Sequence, residues 1–330
     1  MRVTLAVPNL LAVDRAALSA VPALARLAAY AAAPETEPAG LATAVIVAAG
    51  GARAAAVAPL AAQGAGLSSA DPWVAHADPV ALVAGRDDVL LEGRIDDLAR
   101  ADADAMIGTL NAHFAADGVA FHAPRPDAWF VTGTAFAPPA ATPLPLVHGA
   151  IAAHLPHGEH AGLWLRWLSE MQMLLHEHPV NAERERAGRR PVSGLWVWGG
   201  GETQPTPTTI NAAIHAPPGR AGDVARGLAL RSGNAFAGTP ARLVTLSAEV
   251  DSLVVLPPVT GAEDLAALDA AWLTPAVKAL EDRVVAQFVL IADGRGPAFA
   301  WTARAPTWRQ RLRARFAPRA FAPPAGDGKE

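Results

Sequence analysis

Apolar and polar residues alternate in the first part of the chain in a way that predicts short strands and helices. The apolar run at residues 3–7 has the length of a buried strand. Apolar residues at intervals of three follow it, as is typical of an amphipathic helix: Leu18, Val21, Leu24 and Leu27. Two further apolar runs, at 80–83 and 89–91, flank a polar turn and predict a β-hairpin.

The middle of the chain predicts helices that pack beside a second hairpin. Residues 102–114 have the spacing of a helix, and residues 119–121 and 129–131 read as paired strands. The longest helical pattern covers residues 161–177 and ends before Pro179. A short helix at 181–187 is expected to stop at Gly188.

The second half of the chain predicts an α/β sheet. A strongly apolar strand at 192–198 runs into three glycines. Strand-like runs at 243–246, 253–256 and 288–291 then alternate with helix-like segments at 264–273 and 275–285. Strands that alternate with helices are typical of α/β folds.

Composition and charge narrow the class of protein. The 330 residues suffice for one large domain or two ordinary ones. A net charge of −4 gives no global electrostatic reason to expect a nucleic acid partner. No stretch reaches the roughly 18 uncharged apolar residues that a transmembrane segment needs.

The absence of cysteine bears on both chemistry and compartment. With no Cys in the chain, disulfides, thiolate metal sites and cysteine nucleophiles are excluded. Asp14 and Arg15 interrupt the apolar stretch near the start, which argues against a signal peptide. We therefore expect a cytoplasmic protein.

A motif in the middle of the chain resembles a known enzyme family. It comprises His178-Pro179-Val180-Asn181, then Arg184, and a strand at 195–198 that closes on glycines 199–201. The archaeal-type cofactor-independent phosphoglycerate mutases, members of the alkaline phosphatase superfamily, carry a similar element. The resemblance implies an α/β fold with an alkaline-phosphatase-like core sheet and an inserted α+β cap domain, here reduced in size.

The same resemblance implies a domain layout. The core would be split between residues 1–78 and 192–305, and residues 79–191 would form the inserted cap-like domain. Residues 306–330 would be a basic, partly disordered tail.

The catalytic metal ligands of that family are missing from the sequence. Enzymes of the superfamily bind two divalent metals through Asp and His and use a Ser or Thr nucleophile. Here the first strand is followed by Pro8 and Asn9 rather than by an early Asp, and no Asp-Ser or Asp-Thr element follows nearby. Asp293 stands where the family would show an Asp-His pair, and no histidine follows His215. We therefore expect that the protein binds no metal, and no catalytic residue can be named. The alternative is a divalent metal cofactor such as Mn or Zn.

Several residues of the motif are candidates for binding a small phosphorylated ligand. Glycine N–H groups can cradle a phosphate and an arginine can clamp it. The candidates are His178, Asn181, Arg184, Trp198, Gly199, Gly200 and Gly201. The alternatives are structural: a histidine at a helix end, a surface ion pair, a tight turn and core aromatic residues.

The end of the chain is rich in arginine. Between residues 303 and 320 there is no acidic residue, and Trp308, Leu312 and Phe316 repeat every four positions. Such a helix can dock peripherally on anionic lipid or on an acidic partner. The docking residues would be Arg309, Arg311, Arg313 and Arg315. The simpler expectation is a tail that packs its apolar stripe on its own domain.

Two interpretations of function follow from these features. RpfE-type regulatory proteins of bacteria are similar in the central region, which favours a non-catalytic protein that binds a partner or small ligand. The alternative is a phosphoglycerate mutase, or a related metal-dependent phosphotransferase or isomerase, with a rebuilt site. Such a site would need acids among Asp14, Asp71, Asp78, Asp251 and Asp293 to converge with central histidines.

Overall fold

The structure is a computed structural model that describes residues 1–86, 88–134, 141–157, 160–203, 210, 212–316 and 321. Its strands are β1 (Arg2–Val7), β2 (Glu35–Glu37), β3 (Trp73–Ala84), β4 (Val89–Arg94), β5 (Val119–Arg125), β6 (Ala128–Gly133), β7 (Gly149–Ala150), β8 (Gly194–Glu202), β9 (Ala213–His215), β10 (Phe236–Ala237), β11 (Ser252–Val255), β12 (Gln287–Ala292) and β13 (Ala298–Arg304). Its α-helices are α1 (Arg15–Ser19), α2 (Pro22–Tyr30), α3 (Leu41–Ala48), α4 (Val57–Gly64), α5 (Arg100–Phe114), α6 (Ala161–His176), α7 (Pro179–Arg186), α8 (Arg220–Ser232), α9 (Ala262–Leu268), α10 (Thr274–Glu281) and α11 (Trp308–Phe316). A π-helical turn, Asp269–Leu273, joins α9 to α10.

The chain divides into two compact units. The core unit comprises Met1–Arg53 and Pro207–Glu330, and the inserted unit comprises Ala54–Thr206. Both contain sheets and helices, so the mixed α/β fold predicted from the sequence is confirmed.

The core unit is built on a sheet in the order β10-β9-β11-β1-β12-β13-β2. The strands from β10 to β12 are parallel, β13 runs antiparallel to them, and β2 at the edge pairs antiparallel with β13. Because the parallel strands share one direction, their carboxyl ends meet at one edge of the sheet and their amino ends at the other.

Alternation along the strands separates the two faces of this sheet. On β1, Val3, Leu5 and Val7 are fully buried against apolar residues of α2, α9 and α10. Arg2 and Thr4 point to the opposite face, where α3 packs. The period of two along a strand explains why one face is fully apolar and the other carries charge.

The inserted unit has a second sheet, in the order β5-β6-β3-β4-β7, with β8 paired to β3. One face packs on α5 and α6, and its centre is a cluster of fully buried aromatic rings that includes Trp129, Trp164 and Trp167. The helix α6 was predicted from apolar residues three or four positions apart, and its buried positions are Trp164, Trp167, Met171 and Leu175. Leu165, which the pattern had placed on that face, is exposed.

The observed unit boundaries differ from those expected from the sequence. The expected boundaries lay at 78/79 and 191/192, whereas the observed ones lie at 53/54 and 206/207. The difference arises because β3 continues through residue 78 and pairs with β8 from Trp73 to Val80. Hydrogen bonding thereby joins both strands to the inserted unit.

One further expectation was wrong. Residues 243–246 form a 3-10 turn, Leu243–Thr245, rather than a strand, and Leu243 alone of this turn is buried.

The helix expected from the spacing of Trp308, Leu312 and Phe316 is confirmed over Trp308–Phe316. Beyond this helix, Phe321 is buried against Trp301 with ring centroids 5.5 Å apart. The side chain of Arg315 and residues 317–320 and 322–330 lie outside the described part of the chain.

Within the described ranges, no helix combines the length and the apolar character that a membrane-crossing helix requires.

Candidate functional site

The carboxyl ends of β1, β11 and β12 form the edge at which open α/β sheets bind their ligands. Here Asn9 follows β1 and Asp293 follows β12. The main-chain N–H of Asn9 donates to Oδ1 of Asp293 at 2.7 Å, and the N–H of Leu11 donates to the Asp293 carbonyl at 2.8 Å. We call this pair of contacts the Asn9–Asp293 clasp.

The loops after β1 and β12, which form the clasp, lie in close contact. Asn9 has a φ of 61°, in the left-handed region that asparagine tolerates better than most residues. A Cβ atom added to Gly294 would lie 2.8 Å from the carbonyl carbon of Leu11. The loop after β12 therefore needs glycine at 294 so that the loop after β1 can lie against it.

Burial changes the acidity of Asp293. The residue is 9% exposed, and burial raises the pKa of its carboxyl to about 6, although the hydrogen bond from Asn9 acts in the opposite direction. Burial therefore makes ionisation of Asp293 less favourable than that of an exposed carboxyl, and the side chain holds the loop after β1.

The described part of the chain offers no group of three or more His, Cys, Asp or Glu side chains that could hold a metal ion. The histidines near the end of α6 diverge, since His176 is exposed whereas His178 is buried. Whether the protein uses a metal stays a prediction.

The other acids considered for a rebuilt site have separate structural roles. Asp14 caps α1 by accepting from the N–H groups of Ala16 and Ala17 at 2.8 and 3.1 Å. Asp251 accepts from the N–H of Arg2 at 2.6 Å, at the amino edge of the sheet. Within the core unit, Asp251 and Asp293 therefore lie at opposite ends of the strands.

The motif that suggested the family resemblance is packed inside the inserted unit. Asn181 is 2% exposed and spans two segments: its amide donates to the carbonyls of Leu175 and Val192 at 2.7 and 2.8 Å, and its Oδ1 accepts from the N–H of Val192 at 2.8 Å. His178 begins α7, and its Nε2 lies 3.1 Å from the Thr109 hydroxyl on α5. These side chains join α6, α7 and β8.

Arg184 has the same joining role. It is 1% exposed, and its guanidinium donates to the Arg190 carbonyl at 2.8 Å and to Oδ1 of Asp97 at 2.6 Å. The hydrogen bond from Arg184 lowers the pKa of the Asp97 carboxyl. Arg184, which was predicted to clamp a phosphate, thus holds the segment before α5 to the segment after α7.

The structure places Trp198 and the three glycines in one strand. The glycines do not form a turn, because β8 continues to Glu202, but the pairing of β8 with β3 shifts register here and Gly199 adopts a φ of 66°. A Cβ atom added to Gly201 would lie 2.3 Å from the Cβ of Ala56, so this run allows the segment before α4 to approach β8 closely. The Trp198 indole N–H donates to Oδ2 of Asp78 at 2.7 Å, and its ring stacks on His76 with centroids 4.5 Å apart.

One polar cluster was not foreseen from the sequence. Thr132 Oγ1 donates to Oδ2 of Asp71 at 2.5 Å and lies 3.0 Å from Nε2 of His122. Burial lowers the pKa of His122. Thr132 itself is fully buried, so its hydroxyl is unsuited to attack a substrate. Only the alternation of side chains along β5 and β6, which places His122 and Thr132 on one face of the sheet, could have indicated this pairing.

Comparisons with known proteins support a distant relationship to phosphoglycerate mutases. The chain is 37% identical over 57 residues to the 2,3-bisphosphoglycerate-independent phosphoglycerate mutase of Methanothrix thermoacetophila, covering 17% of this chain and 14% of that protein. It is 40% identical over 60 residues to the 2,3-bisphosphoglycerate-independent phosphoglycerate mutase 2 of Methanothermobacter thermautotrophicus, covering 18% of this chain and 15% of that protein. The chain thus matches only a small part of these curated relatives, and no protein-family model matches it.

Solved structures that align with the chain include the PH0037 protein from Pyrococcus horikoshii, with a TM-score of 0.48 at 14% identity. That alignment covers 92% of this chain and 87% of the other. A second is the cofactor-independent phosphoglycerate mutase from Thermoplasma acidophilum, with a TM-score of 0.42 at 14% identity over 92% of this chain and 89% of the other. The sequence matches confirm the resemblance to the archaeal mutases at a distant level.

Proposed function

We propose that this chain is a non-catalytic relative of the cofactor-independent phosphoglycerate mutases and acts by binding, in a regulatory role. The Asn9–Asp293 clasp carries this proposal. At the edge where a metal-dependent relative needs a cluster of ligands, the acid is buried and its Oδ1 accepts from the backbone N–H of Asn9. The described residues offer no group of three or more His, Cys, Asp or Glu side chains that could hold a metal ion there.

The other acids support the same proposal. In the core unit, Asp14 and Asp251 each accept from backbone N–H groups, and Asp251 lies at the sheet edge opposite the clasp. The cysteine-free sequence fits a reducing compartment, and we place the protein in the bacterial cytoplasm. Its partner would be another protein or a small phosphorylated ligand.

A thermal-shift titration with Mn²⁺, Zn²⁺ and Mg²⁺, each alone and with 3-phosphoglycerate, tests the loss of catalysis. A ligand that binds the folded state raises the unfolding midpoint as its concentration exceeds Kd. We expect no metal to raise the midpoint and no mutase activity in a coupled assay. A metal-dependent rise that 3-phosphoglycerate enlarges, and that Asp293→Asn abolishes, would establish the alternative of an active mutase with a rebuilt site.

We also propose that α11 docks on anionic lipid. The structure corrects the expectation of a stripe packed on its own unit, since Trp308 is 68% exposed and Leu312 is 52% exposed, while Ala314 faces the core. The helix carries arginines and no acidic residue, and Arg309 lies over the Trp308 ring with its central carbon 5.4 Å from the centroid. An apolar ridge flanked by arginines complements a surface of anionic headgroups.

Sedimentation with vesicles tests this docking. We expect binding to phosphatidylserine-containing vesicles, little binding to pure phosphatidylcholine, and loss of binding in the double variant Trp308→Ala, Leu312→Ala. The matched control is Val244→Ala, which removes another apolar side chain that is 70% exposed, on the core unit but outside α11. Equal sedimentation of both variants, or none by the wild type, would rule out this surface.

A further inference from the structure

A cavity of about 600 Å³ lies in the core unit on the sheet face opposite the apolar cluster. Its floor is formed by alternate residues of β12 and β13, and α3 and β2 form its sides: Val289, Ile291, Ala300, Thr302, Ala44, Val47 and Glu37. The cavity reaches the amino ends of β1 and β12, so it lies at the sheet edge opposite the Asn9–Asp293 clasp. Its volume is within the range of small-molecule sites.

Three neighbouring strands place a row of polar side chains across this cavity. Arg2 of β1 pairs with Gln287 of β12, and Gln287 pairs in turn with Arg304 of β13. All three residues line the cavity. Because adjacent strands are about 4.8 Å apart, the two arginines are anchored about 10 Å from each other, one on each side of the glutamine amide.

The acidic side chains around the cavity leave the row of Arg2, Gln287 and Arg304 accessible to a ligand. Arg53 pairs with Glu37, whose carboxylate also accepts from the N–H of Ala39 at 3.2 Å. Glu35 is exposed on the rim. The acid beside Arg2 is Asp251, which bonds to the main-chain N–H of Arg2 and lines an adjoining hollow of about 260 Å³.

Arg2 has an unmet hydrogen-bonding requirement. Its Nε is buried and has no hydrogen-bond partner within the described part of the chain. A buried polar group without a partner destabilises the folded protein, and a charged one does so more strongly. An anion that reached Arg2 would supply that partner.

We propose that this cavity binds a small organic anion, one that carries carboxylate or phosphate groups on a short body. Arg2 and Arg304 hold its anionic groups by charge-assisted hydrogen bonds, and the Gln287 amide donates between them. The apolar floor contacts the carbon skeleton. This site goes beyond the proposed loss of catalysis and stands whether or not the carboxyl edge binds a metal.

The test uses the full chain and four probes at matched ionic strength: inorganic phosphate, 3-phosphoglycerate, succinate and citrate. Binding is measured by thermal shift and by calorimetric titration, with sodium chloride as the screening control. We expect at least one probe to bind, and the phosphate and carboxylate arms then distinguish the two classes of ligand.

Substitutions locate the site. Arg304→Gln removes an exposed guanidinium at the mouth, and Arg2→Gln removes the half-buried one, whose Nε is buried. We expect each to weaken binding about tenfold or more, the typical effect of losing one charge-assisted contact. Arg242→Gln, an exposed arginine of the same unit outside the cavity, should leave binding unchanged.

Two results would overturn the proposal. One is the absence of binding by all four probes to the wild-type chain. The other is equal weakening by Arg304→Gln and Arg242→Gln, which would show that the probes only screen surface charge. Because Arg304 is exposed, its variant is expected to fold and remains informative if Arg2→Gln does not.

Discussion

Replacing Asp293 by asparagine tests the electrostatics of the carboxyl edge. Asparagine keeps an Oδ1 that can accept from the N–H of Asn9, and it removes the charge. In the folded protein burial raises the pKa of Asp293 from 3.8 to about 6. The folded state therefore binds the proton more tightly than the unfolded state, and this carboxyl contributes most stability at low pH.

The magnitude follows from the two pKa values. A shift of about two units corresponds to about 3 kcal/mol, lost progressively as the pH rises from the unfolded pKa through the folded one. Between about pH 5 and about pH 7.5 the loss amounts to about 1.4 kcal/mol. Asp293→Asn should abolish this loss, so its stability relative to the wild type should grow by that amount over the same interval.

Urea denaturation followed by tryptophan fluorescence at the two pH values measures the effect. Asp14→Asn is the matched control, because Asp14 also accepts backbone N–H groups but is exposed, and asparagine caps helices equally well. We expect the control to keep the wild-type pH dependence. If Asp293→Asn were less stable than the wild type by the same amount at both pH values, the pKa of Asp293 would not be raised in the folded state, and the argument from its burial would fail.

Two further substitutions test the packing of the inserted unit, and the free energy of unfolding measures both. Arg184→Ala should cost at least about 2 kcal/mol because it removes a buried side chain together with its hydrogen bonds to the Arg190 carbonyl and Asp97. Arg186→Ala, which breaks an exposed pair with Glu183, should cost about 0.5 kcal/mol or less. Equal costs would contradict the joining role of Arg184. Gly201→Ala should cost about 1–3 kcal/mol because its Cβ would meet Ala56. Gly108→Ala, in the open middle of α5, should stabilise by up to about 1 kcal/mol, and a neutral Gly201→Ala would show that the approach of α4 is loose.

The sequence predicted elements well where one local pattern determines them. The apolar spacing of α6 predicted the helix, and the apolar runs on either side of residue 85 form the β3–β4 hairpin. The end of the short helix before Gly188 was also predicted, and Gly188 adopts a φ of 68°. These features depend on neighbours within a few positions, which a sequence displays directly.

The sequence could not predict features that join distant positions. Asn9 and Asp293 lie 284 residues apart, and nothing local to either residue indicates their contact. The unit boundary was misplaced for the same reason, because the pairing of β3 with β8 spans more than 100 residues. The row formed by Arg2, Gln287 and Arg304 likewise exists only through strand register.

The distribution of these roles explains why the resemblance indicates ancestry better than activity. The residues that carried it, among them Asn181 and Arg184, are buried and bond to main-chain groups that fix helices of the inserted unit. Selection for folding alone would retain them, so their presence is no evidence for a reaction. The groups proposed to bind an anion, Arg2 and Arg304, lie in the other unit, outside the motif. A functional assay guided by the motif alone would therefore leave both proposals untested, and substitutions in the two sheet edges of the core unit test the proposed loss of catalysis and the proposed anion site.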